Sequence, residues 1–168
     1  MVLESKVLSK EIQQILYDNG KTLGTAESCT GGRIAEAIIA NPGSSNYFKG
    51  GVISYTDEVK ENLLHVDHQV IAEQTAVCEE VAIQMVKGAC KTLNVDYAIA
   101  VTGFAGPGGG TPEVPVGTIW LAYGSKSDIR TFKLSEDEGR DINLLNATNK
   151  ALRLFLEYLK EENSHQED

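Results

Sequence analysis

Residues 79–101 decide the fold class: Glu79-Glu-Val-Ala-Ile-Gln-Met-Val-Lys-Gly-Ala-Cys-Lys-Thr-Leu93, then Asn-Val-Asp, then Tyr97-Ala-Ile-Ala-Val101. The first part predicts an amphipathic helix, because apolar residues recur on one side of it: Ala82, Met85, Val86 and Ala89. The last part is a continuous apolar run, which is typical of a strand buried on both faces. A helix followed by such a strand indicates an α/β fold in which helices cover a sheet.

The same alternation extends in both directions along the chain. The patterns predict helices over 3–17, 33–40, 56–64 and 141–159, and further strands over 22–25, 51–55, 116–123 and 129–134. Only the last two strands follow one another directly, across a turn near Gly124. We therefore expect one three-layer α/β/α domain over residues 1–160, with a mixed, mostly parallel sheet and one antiparallel strand. The acidic residues 161–168 are expected to form a disordered tail.

Composition narrows the class of function. The chain has 168 residues, of which 42% are hydrophobic and 23% charged, and its net charge is -9. An acidic protein is a poor ligand for a phosphate backbone, so we expect no nucleic-acid partner. No apolar run approaches the ~20 residues of a membrane span, and the first residues do not resemble a secretion signal. Three cysteines without zinc-site spacing fit a reducing compartment, so the sequence predicts a cytoplasmic protein with no membrane partner.

The turn between the first strand and the second helix reads Thr25-Ala-Glu-Ser-Cys-Thr-Gly-Gly32. A serine here can attack a carbonyl carbon while the unpaired N–H groups of the helix start hold the developing oxyanion. The local pattern by itself favours a simpler role, in which Ser28 or Thr25 caps the helix. Cys29 is a rival nucleophile, although a small buried apolar role is more usual for a cysteine.

A nucleophilic serine needs a base, and the pattern contains no Ser-His-Asp arrangement. Tyr55 ends a predicted strand and Lys60 lies about one turn into the next helix. A buried lysine can be neutral enough to accept a proton, and a tyrosine hydroxyl can relay one. Taken locally, a packed tyrosine and a solvated lysine are the stronger interpretation. His65 and His68 can share a helical face as metal ligands, but a pair without a further ligand is more often a surface feature, so no metal is predicted.

A glycine-rich loop follows the buried strand: Val101-Thr-Gly-Phe-Ala-Gly-Pro-Gly-Gly-Gly-Thr111. Its N–H groups can surround a phosphate or carboxylate. It is neither a Walker loop nor a dinucleotide fingerprint, because the required lysine and the glycine spacing are missing. Arg140, at the start of the last helix, can supply a cation for a phosphate, although a solvated charge beside the acidic run 135–139 is the stronger local interpretation.

Three segments together resemble the CinA carboxy-terminal domain family, also described as nicotinamide mononucleotide amidohydrolases. They are Thr25–Gly32, then Gly51-Val-Ile-Ser-Tyr-Thr-Asp-Glu-Val-Lys60, then Val101–Thr111 continued by Pro-Glu-Val-Pro-Val-Gly-Thr118. The similarity extends from the first helix to about Leu159. It implies an anticodon-binding-domain-like fold, an α/β/α arrangement whose five-stranded mixed sheet has one reversed strand. It also implies hydrolysis of nicotinamide mononucleotide to nicotinic acid mononucleotide and ammonia, without a cofactor.

The resemblance assigns roles to individual residues. It implies that Ser28 is the nucleophile and that Tyr55 and Lys60 form the base. The implied substrate contacts are Thr30, Gly31, Gly32, Thr102, Gly103 and Arg140. N–H groups near Thr30–Gly32 are the expected oxyanion hole. The substrate is a small nucleotide, and a homodimer is expected.

Two other functions stay open at this point. One is a non-catalytic nucleotide-binding or competence- and damage-related interaction module of the same fold. The other is an amidase for a different small amide. In the wider family this domain often follows another catalytic domain. No such domain is recognised in this sequence, so the chain is expected to act alone or with a separate partner.

The chain departs from the family pattern in two places. The family often has Gly-Asp-Arg followed, four residues on, by a second arginine, whereas here Glu138-Gly-Arg140 is followed by Leu144. Phosphate affinity is therefore expected to be weaker or to depend on Arg140 and the glycine loop. The family's Gly-Ala-Val-Ser before the long helix reads Thr75-Ala-Val-Cys78, which removes a good helix cap.

Overall fold

The computed structural model describes residues 2–167. Within that range lie six helices, five strands and a short 3₁₀ turn at Ser44–Asn46. The helices are α1 Val2–Asn19, α2 Arg33–Ile39, α3 Asp57–Leu64, α4 His68–Gln74, α5 Glu79–Leu93 and α6 Arg140–Gln166. The strands are β1 Leu23–Glu27, β2 Phe48–Ile53, β3 Tyr97–Gly103, β4 Ile119–Ser125 and β5 Asp128–Leu134. No helix in this part of the chain has the length and apolarity needed to cross a bilayer.

All five strands belong to one sheet with the order β2-β1-β3-β4-β5. Strand β1 pairs in parallel with β2 on one side and β3 on the other. Strand β4 runs antiparallel to both β3 and β5, so it alone is reversed. The predicted fold class is confirmed: a three-layer α/β/α domain with a mixed, mostly parallel five-stranded sheet.

Strand β3 shows how the two faces of the sheet are covered. Ile99 and Val101 join a core cluster with residues of α1, α2 and α6. Ala98 and Ala100 join a second cluster with residues of α3, α4 and α5. Because successive side chains of a strand point to opposite faces, this alternation places large residues under one helical layer and methyl groups under the other. The small alanine side chains leave room for α5 to lie close to the centre of the sheet.

Helix α3 crosses α5 at Gly88, which is buried. A Cβ atom at position 88 would overlap the carbonyl oxygen of Leu64, the last residue of α3. The missing side chain therefore sets how closely the two helices approach. Since α3 also carries Lys60, this contact helps to fix the position of that lysine.

Several boundaries differ from the sequence prediction. Helix α4 was not predicted, and β2 lies earlier in the chain than expected, so that Tyr55 follows the strand instead of ending it. Residues 161–166 of the expected disordered tail continue α6 as a helix, and Asp168 lies outside the described residues. The Tyr97 hydroxyl donates to Glu162 Oε2 at 2.5 Å, and Asn19 Nδ2 lies 3.4 Å from Asn163 Oδ1. These contacts fix the helix beyond Leu159.

Gly88→Ala tests the approach of α3 to α5. Alanine normally stabilises a helix interior by about 1 kcal/mol relative to glycine. Here we expect a loss of about 2 kcal/mol in the free energy of unfolding, because the added methyl group meets backbone. Urea unfolding of Gly88→Ala beside Lys87→Ala, an exposed position one residue away, measures the difference. Equal or higher stability of Gly88→Ala would contradict the close approach.

Candidate active site

Ser28 directly follows β1, at the carboxyl end of the parallel strands. Its backbone N–H donates to the carbonyl oxygen of Val101 on β3 at 3.0 Å, so it continues the hydrogen-bond pattern of the β1–β3 pair. The residue is 7% exposed. The predicted location between a strand and a helix is therefore confirmed. Ligands of open α/β sheets commonly bind at this end of the strands.

Lys60 reaches Ser28 from helix α3. Its ammonium nitrogen Nζ lies 2.9 Å from Ser28 Oγ and donates a second hydrogen bond to the carbonyl oxygen of Ser54 at 2.8 Å. The side chain is buried, with 2% of its surface exposed. Burial lowers the pKa of Lys60, while the nearby Asp57 carboxylate, and the Cys29 thiol when it is ionised, act in the opposite direction. A buried lysine at hydrogen-bond distance from a serine hydroxyl has the geometry that a nucleophile and its base require.

Cys29 is next to Ser28 but has the wrong chemistry for the attack at neutral pH. Burial raises the pKa of its thiol to about 11, against smaller opposing effects from its own backbone N–H, Lys60 and Arg140. The thiolate is the reactive form of a cysteine, so this residue stays protonated and weakly nucleophilic. The geometry favours the serine over its rival.

Glu27, which the sequence analysis did not select, has an important role beside Ser28. Its carboxylate is 1% exposed and accepts three hydrogen bonds. The donors are the hydroxyl of Thr30 at 2.7 Å and the backbone N–H groups of Ile34 at 2.9 Å and Ala35 at 3.0 Å. The positive end of α2 is therefore occupied by the protein's own carboxylate. A charged residue within a buried strand was the available signal, because a fully buried glutamate needs partners.

Neither Ser28 nor Thr25 caps α2. The residue that precedes the helix is Gly32, with φ 103° and no side-chain hydrogen bond. The Gly31 N–H donates to the Ser28 carbonyl at 3.1 Å, and Thr30 is fully buried against Glu27. The structure does not bring Thr30, Gly31 and Gly32 to the pocket described next. Their predicted contact with the substrate stays a prediction.

A pocket of about 250 Å³ opens in front of Ser28 and Lys60. Six of the predicted site residues line it together, namely Ser28, Tyr55, Lys60, Thr102, Gly103 and Arg140. The remaining lining residues are Cys29, Asp57, Ala76, Val77, Phe104, Ala105, Gly106 and Gly108. The described residues of this lining include no histidine, and the Lys60 amine lies at hydrogen-bond distance from Ser28 Oγ.

Tyr55 and Arg140 meet at the rim of the pocket. The Tyr55 side chain is 60% exposed, and Arg140 Nη2 donates to its hydroxyl at 3.4 Å. Arg140 Nη1 donates to the carbonyl oxygen of Gly106 at 2.8 Å and thereby holds the glycine-rich loop. The hydrogen bonds of Lys60 go to Ser28 and Ser54. The role of Tyr55 as a proton relay stays a prediction.

One wall of the pocket is held in place by Thr102. Its hydroxyl donates to the carbonyl oxygen of Ala76 at 2.8 Å. The preceding Thr75 has φ 67° and ψ 169°, a backbone conformation that glycine adopts far more easily than threonine. This is the position where the family pattern has glycine, so the substitution introduces local strain. Cys78, which precedes α5, makes no side-chain cap, as predicted.

Leu144 does not face the pocket. The side chain is 1% exposed and belongs to the core cluster under α6. The neighbouring Asn143, missed by the sequence analysis, faces the glycine-rich loop and donates to the carbonyl oxygen of Ala105 at 3.0 Å. In this chain, the position of the absent second arginine is a core position.

The two histidines after α3 have separate surroundings. His65 ends that helix in a left-handed conformation, with φ 57°. His68 Nδ1 lies 2.8 Å from Glu61 Oε1, and this interaction raises the pKa of the imidazole. Across residues 2–167, no group of three or more His, Cys, Asp or Glu side chains is arranged to hold a metal ion.

Comparisons with known proteins agree on one family. The family model described as the CinA C-terminal domain matches residues 5–159. A relative from Escherichia coli strain K12, named nicotinamide-nucleotide amidohydrolase PncC, is 43% identical over 116 residues, which are 69% of this chain and 70% of that protein. A putative competence-damage inducible protein from Halothermothrix orenii is 43% identical over 154 residues, or 91% of this chain. A CinA-like protein from Leptospira interrogans is 49% identical over 119 residues, or 71% of this chain.

The last two relatives are much longer proteins. The chain spans 37% of the Halothermothrix protein and 28% of the Leptospira protein. Solved structures match over nearly their whole length. A CinA superfamily protein from Klebsiella pneumoniae has a TM-score of 0.89 and 32% identity, covering 94% of this chain and 98% of that one. The competence/damage inducible protein CihA from Agrobacterium tumefaciens has a TM-score of 0.89 and 34% identity, covering 94% and 96%.

Glu27→Ala tests the support behind Ser28. The substitution leaves three donors without their acceptor, so we expect the free energy of unfolding to fall by about 3 kcal/mol. Glu36→Ala removes an exposed carboxylate from α2, the helix whose start Glu27 occupies, and is expected to stay within about 0.5 kcal/mol of the parent. Urea unfolding monitored by circular dichroism compares them. A similar small change for both variants would show that Glu27 does not stabilise this turn.

Proposed function

The chain belongs to the CinA C-terminal domain family, and from this membership and its buried serine–lysine pair we propose that it is a nicotinamide-nucleotide amidase. The reaction is hydrolysis of nicotinamide mononucleotide to nicotinic acid mononucleotide and ammonia. The observation that carries the proposal is the 2.9 Å contact between Lys60 Nζ and Ser28 Oγ. The name of the Escherichia coli relative supports the choice of substrate.

Acylation begins with Lys60 in its neutral form. Its lone pair accepts the proton of the Ser28 hydroxyl, and Ser28 Oγ attacks the carboxamide carbon. The tetrahedral intermediate collapses when the Lys60 ammonium returns a proton to the departing nitrogen, which leaves as ammonia. The Lys60–Ser54 hydrogen bond keeps Nζ oriented during both transfers. The positive pyridinium ring withdraws electrons and makes the carboxamide carbon more electrophilic.

Deacylation uses the same two residues. Neutral Lys60 removes a proton from a water molecule, whose oxygen attacks the ester carbon of the acyl-enzyme. The C–O bond to Ser28 then breaks, and Lys60 returns the proton to Oγ. The products are free enzyme and nicotinic acid mononucleotide, whose carboxylic acid gives its proton to the released ammonia, so one water is consumed and one ammonium and one carboxylate are formed.

The rest of the pocket suits a flat ring attached to a charged group. Val77, Phe104 and Ala105 supply apolar surface for the ring. Arg140 and the loop 103–108 are the groups available to a phosphate, because a guanidinium and backbone N–H groups both recognise anions. A homodimer and a cytoplasmic location remain predictions from the sequence.

Ser28→Ala separates catalysis from binding. We expect wild-type protein to release ammonia from nicotinamide mononucleotide. The rate for Ser28→Ala should be lower by a factor of about 100 or more, because the covalent route is removed. Ser45→Ala, on the exposed 3₁₀ turn, serves as the matched control. A coupled ammonia assay measures all three proteins.

Two results would contradict the proposal. Release that persists in Ser28→Ala would exclude Ser28 as the nucleophile. Binding of the nucleotide by wild-type protein without any release of ammonia would favour a non-catalytic binding module.

The pH dependence of kcat/KM tests Lys60. Only the neutral amine can accept the Ser28 proton, so activity is expected to rise with pH as Lys60 loses its proton. Because burial lowers the pKa of Lys60 from its ordinary value of 10.5, the midpoint of this rise lies below 10.5. Lys60→Arg keeps the positive charge at every accessible pH and is expected to lose about 100-fold or more. An unchanged profile in Lys60→Arg would show that another group is the base.

A further inference from the structure

We infer that Asp57 makes this pocket selective for amides whose ring carries a positive charge. This inference rests on the proposed function, since it concerns which substrate reaches Ser28. The carboxylate of Asp57 would attract a pyridinium ring electrostatically and would give no such attraction to a neutral ring. Asp57 is thus assigned to substrate discrimination and takes no part in proton transfer.

Asp57 is the single carboxylate among the described residues that line the pocket. The side chain makes no hydrogen bond and no ion pair with any residue in the part of the chain that the structure describes. Glu27 precedes Ser28 in sequence, but its carboxylate already accepts three hydrogen bonds from within the protein. An unpaired carboxylate in a pocket wall is free to interact with a bound cation.

The helix geometry explains why Asp57, and not its neighbour, faces the site. Asp57 is three residues before Lys60 on α3, and residues at this spacing lie on the same helical face. Lys60 points to Ser28, so Asp57 shares that direction. Glu58 is adjacent in sequence but does not line the pocket. The two acidic residues of the first turn therefore differ in what they face.

The negative charge of Asp57 opposes the formation of neutral Lys60, the proposed base. Its negative charge raises the pKa of Lys60 and partly offsets the lowering by burial. A site that needed only a neutral lysine would be better without this charge. Both Asp57 and Glu58 lie in the first turn of α3, where a negative charge favours the helix, and the Thr56 hydroxyl accepts from the Val59 N–H, but only Asp57 of these two carboxylates lines the pocket. A benefit in binding a cationic substrate accounts for that position.

The charges of the pocket match a zwitterion. Asp57 supplies a negative charge in the wall, and Arg140 supplies a positive charge at the rim. Nicotinamide mononucleotide carries a positive ring and a negative phosphate, which is the complementary arrangement. A ribonucleotide in which neutral benzamide replaces the pyridinium ring keeps the shape, the amide and the phosphate. The two ligands differ in the charge that Asp57 would recognise.

Binding measured by titration calorimetry tests the inference without turnover. In the Ser28→Ala background, we expect nicotinamide mononucleotide to bind about tenfold more tightly than the benzamide ribonucleotide. Adding Asp57→Asn should remove this preference, whereas adding Glu58→Gln, which changes net charge equally, should retain it. The preference should also shrink at high salt, because Asp57 is exposed.

The active enzyme provides a second readout. Asp57→Asn should raise KM for nicotinamide mononucleotide about tenfold. It should also move the rising limb of the pH profile to lower pH, since the charge that holds the Lys60 proton is gone. The other titratable or charged groups lining the pocket are Cys29, Tyr55 and Arg140, and none is altered. A purely structural role of Asp57 would lower stability and leave this KM unchanged.

The outcomes separate the two proposals. If wild-type protein releases no ammonia but Ser28→Ala shows the charge preference and Asp57→Asn abolishes it, the amidase proposal fails and this inference stands. If ammonia is released but the preference is the same with and without Asp57, this inference is overturned alone. Failure of Ser28→Ala to bind either ribonucleotide overturns it as well.

Discussion

The contact between a buried lysine and a serine hydroxyl imposes the main constraint on this domain. Lys60 has 2% of its surface exposed, so its amine must find partners within the protein. Ser28 Oγ and the carbonyl oxygen of Ser54 provide them. Meeting both requires α3 to lie tightly across the carboxyl end of β1, which is possible because Gly88 lets α3 and α5 approach closely. The positions of α3 and α5 are thus linked to the hydrogen bonds of Lys60 Nζ.

Some polar side chains near Lys60 Nζ hold the backbone of the site in place, and others face the pocket where a ligand would bind. Glu27 fills the start of α2 and keeps the Ser28 turn rigid, while Thr102 and Asn143 hold the pocket wall and the glycine loop through backbone carbonyls. Arg140 both holds Gly106 and faces the pocket. Among the described residues that line the pocket, the carboxylate of Asp57 makes no hydrogen bond and no ion pair. A site with so few free charges discriminates ligands by where those charges lie.

The sequence predicts periodic and local features well. The buried run Tyr97–Val101 and the helix before it predict the layered fold. The three motif segments contain five of the predicted pocket residues, and Arg140 at the start of the last helix is the sixth. Features that depend on distant partners were missed. Strand β2 begins with a glycine-containing run that has little strand character, and the end of α6 is fixed by Tyr97, far away in sequence. From the sequence, the turn after Ser28 resembles a helix start with unpaired N–H groups. Only the folded structure shows that the Glu27 carboxylate accepts hydrogen bonds from those groups.

The hydrogen bond from the Ser28 N–H to Val101 ties the identity of the proposed nucleophile to strand register. Successive residues of a strand face opposite sides, so a slip of one residue would present the Glu27 carboxylate or the Cys29 thiol in place of the hydroxyl. Neither group can form the same ester with a carboxamide and a neutral lysine. Correct pairing of two central strands therefore also decides which side chain meets the Lys60 amine. A molecule that has folded in register places the Ser28 hydroxyl there, and a misregistered one places a different group beside it.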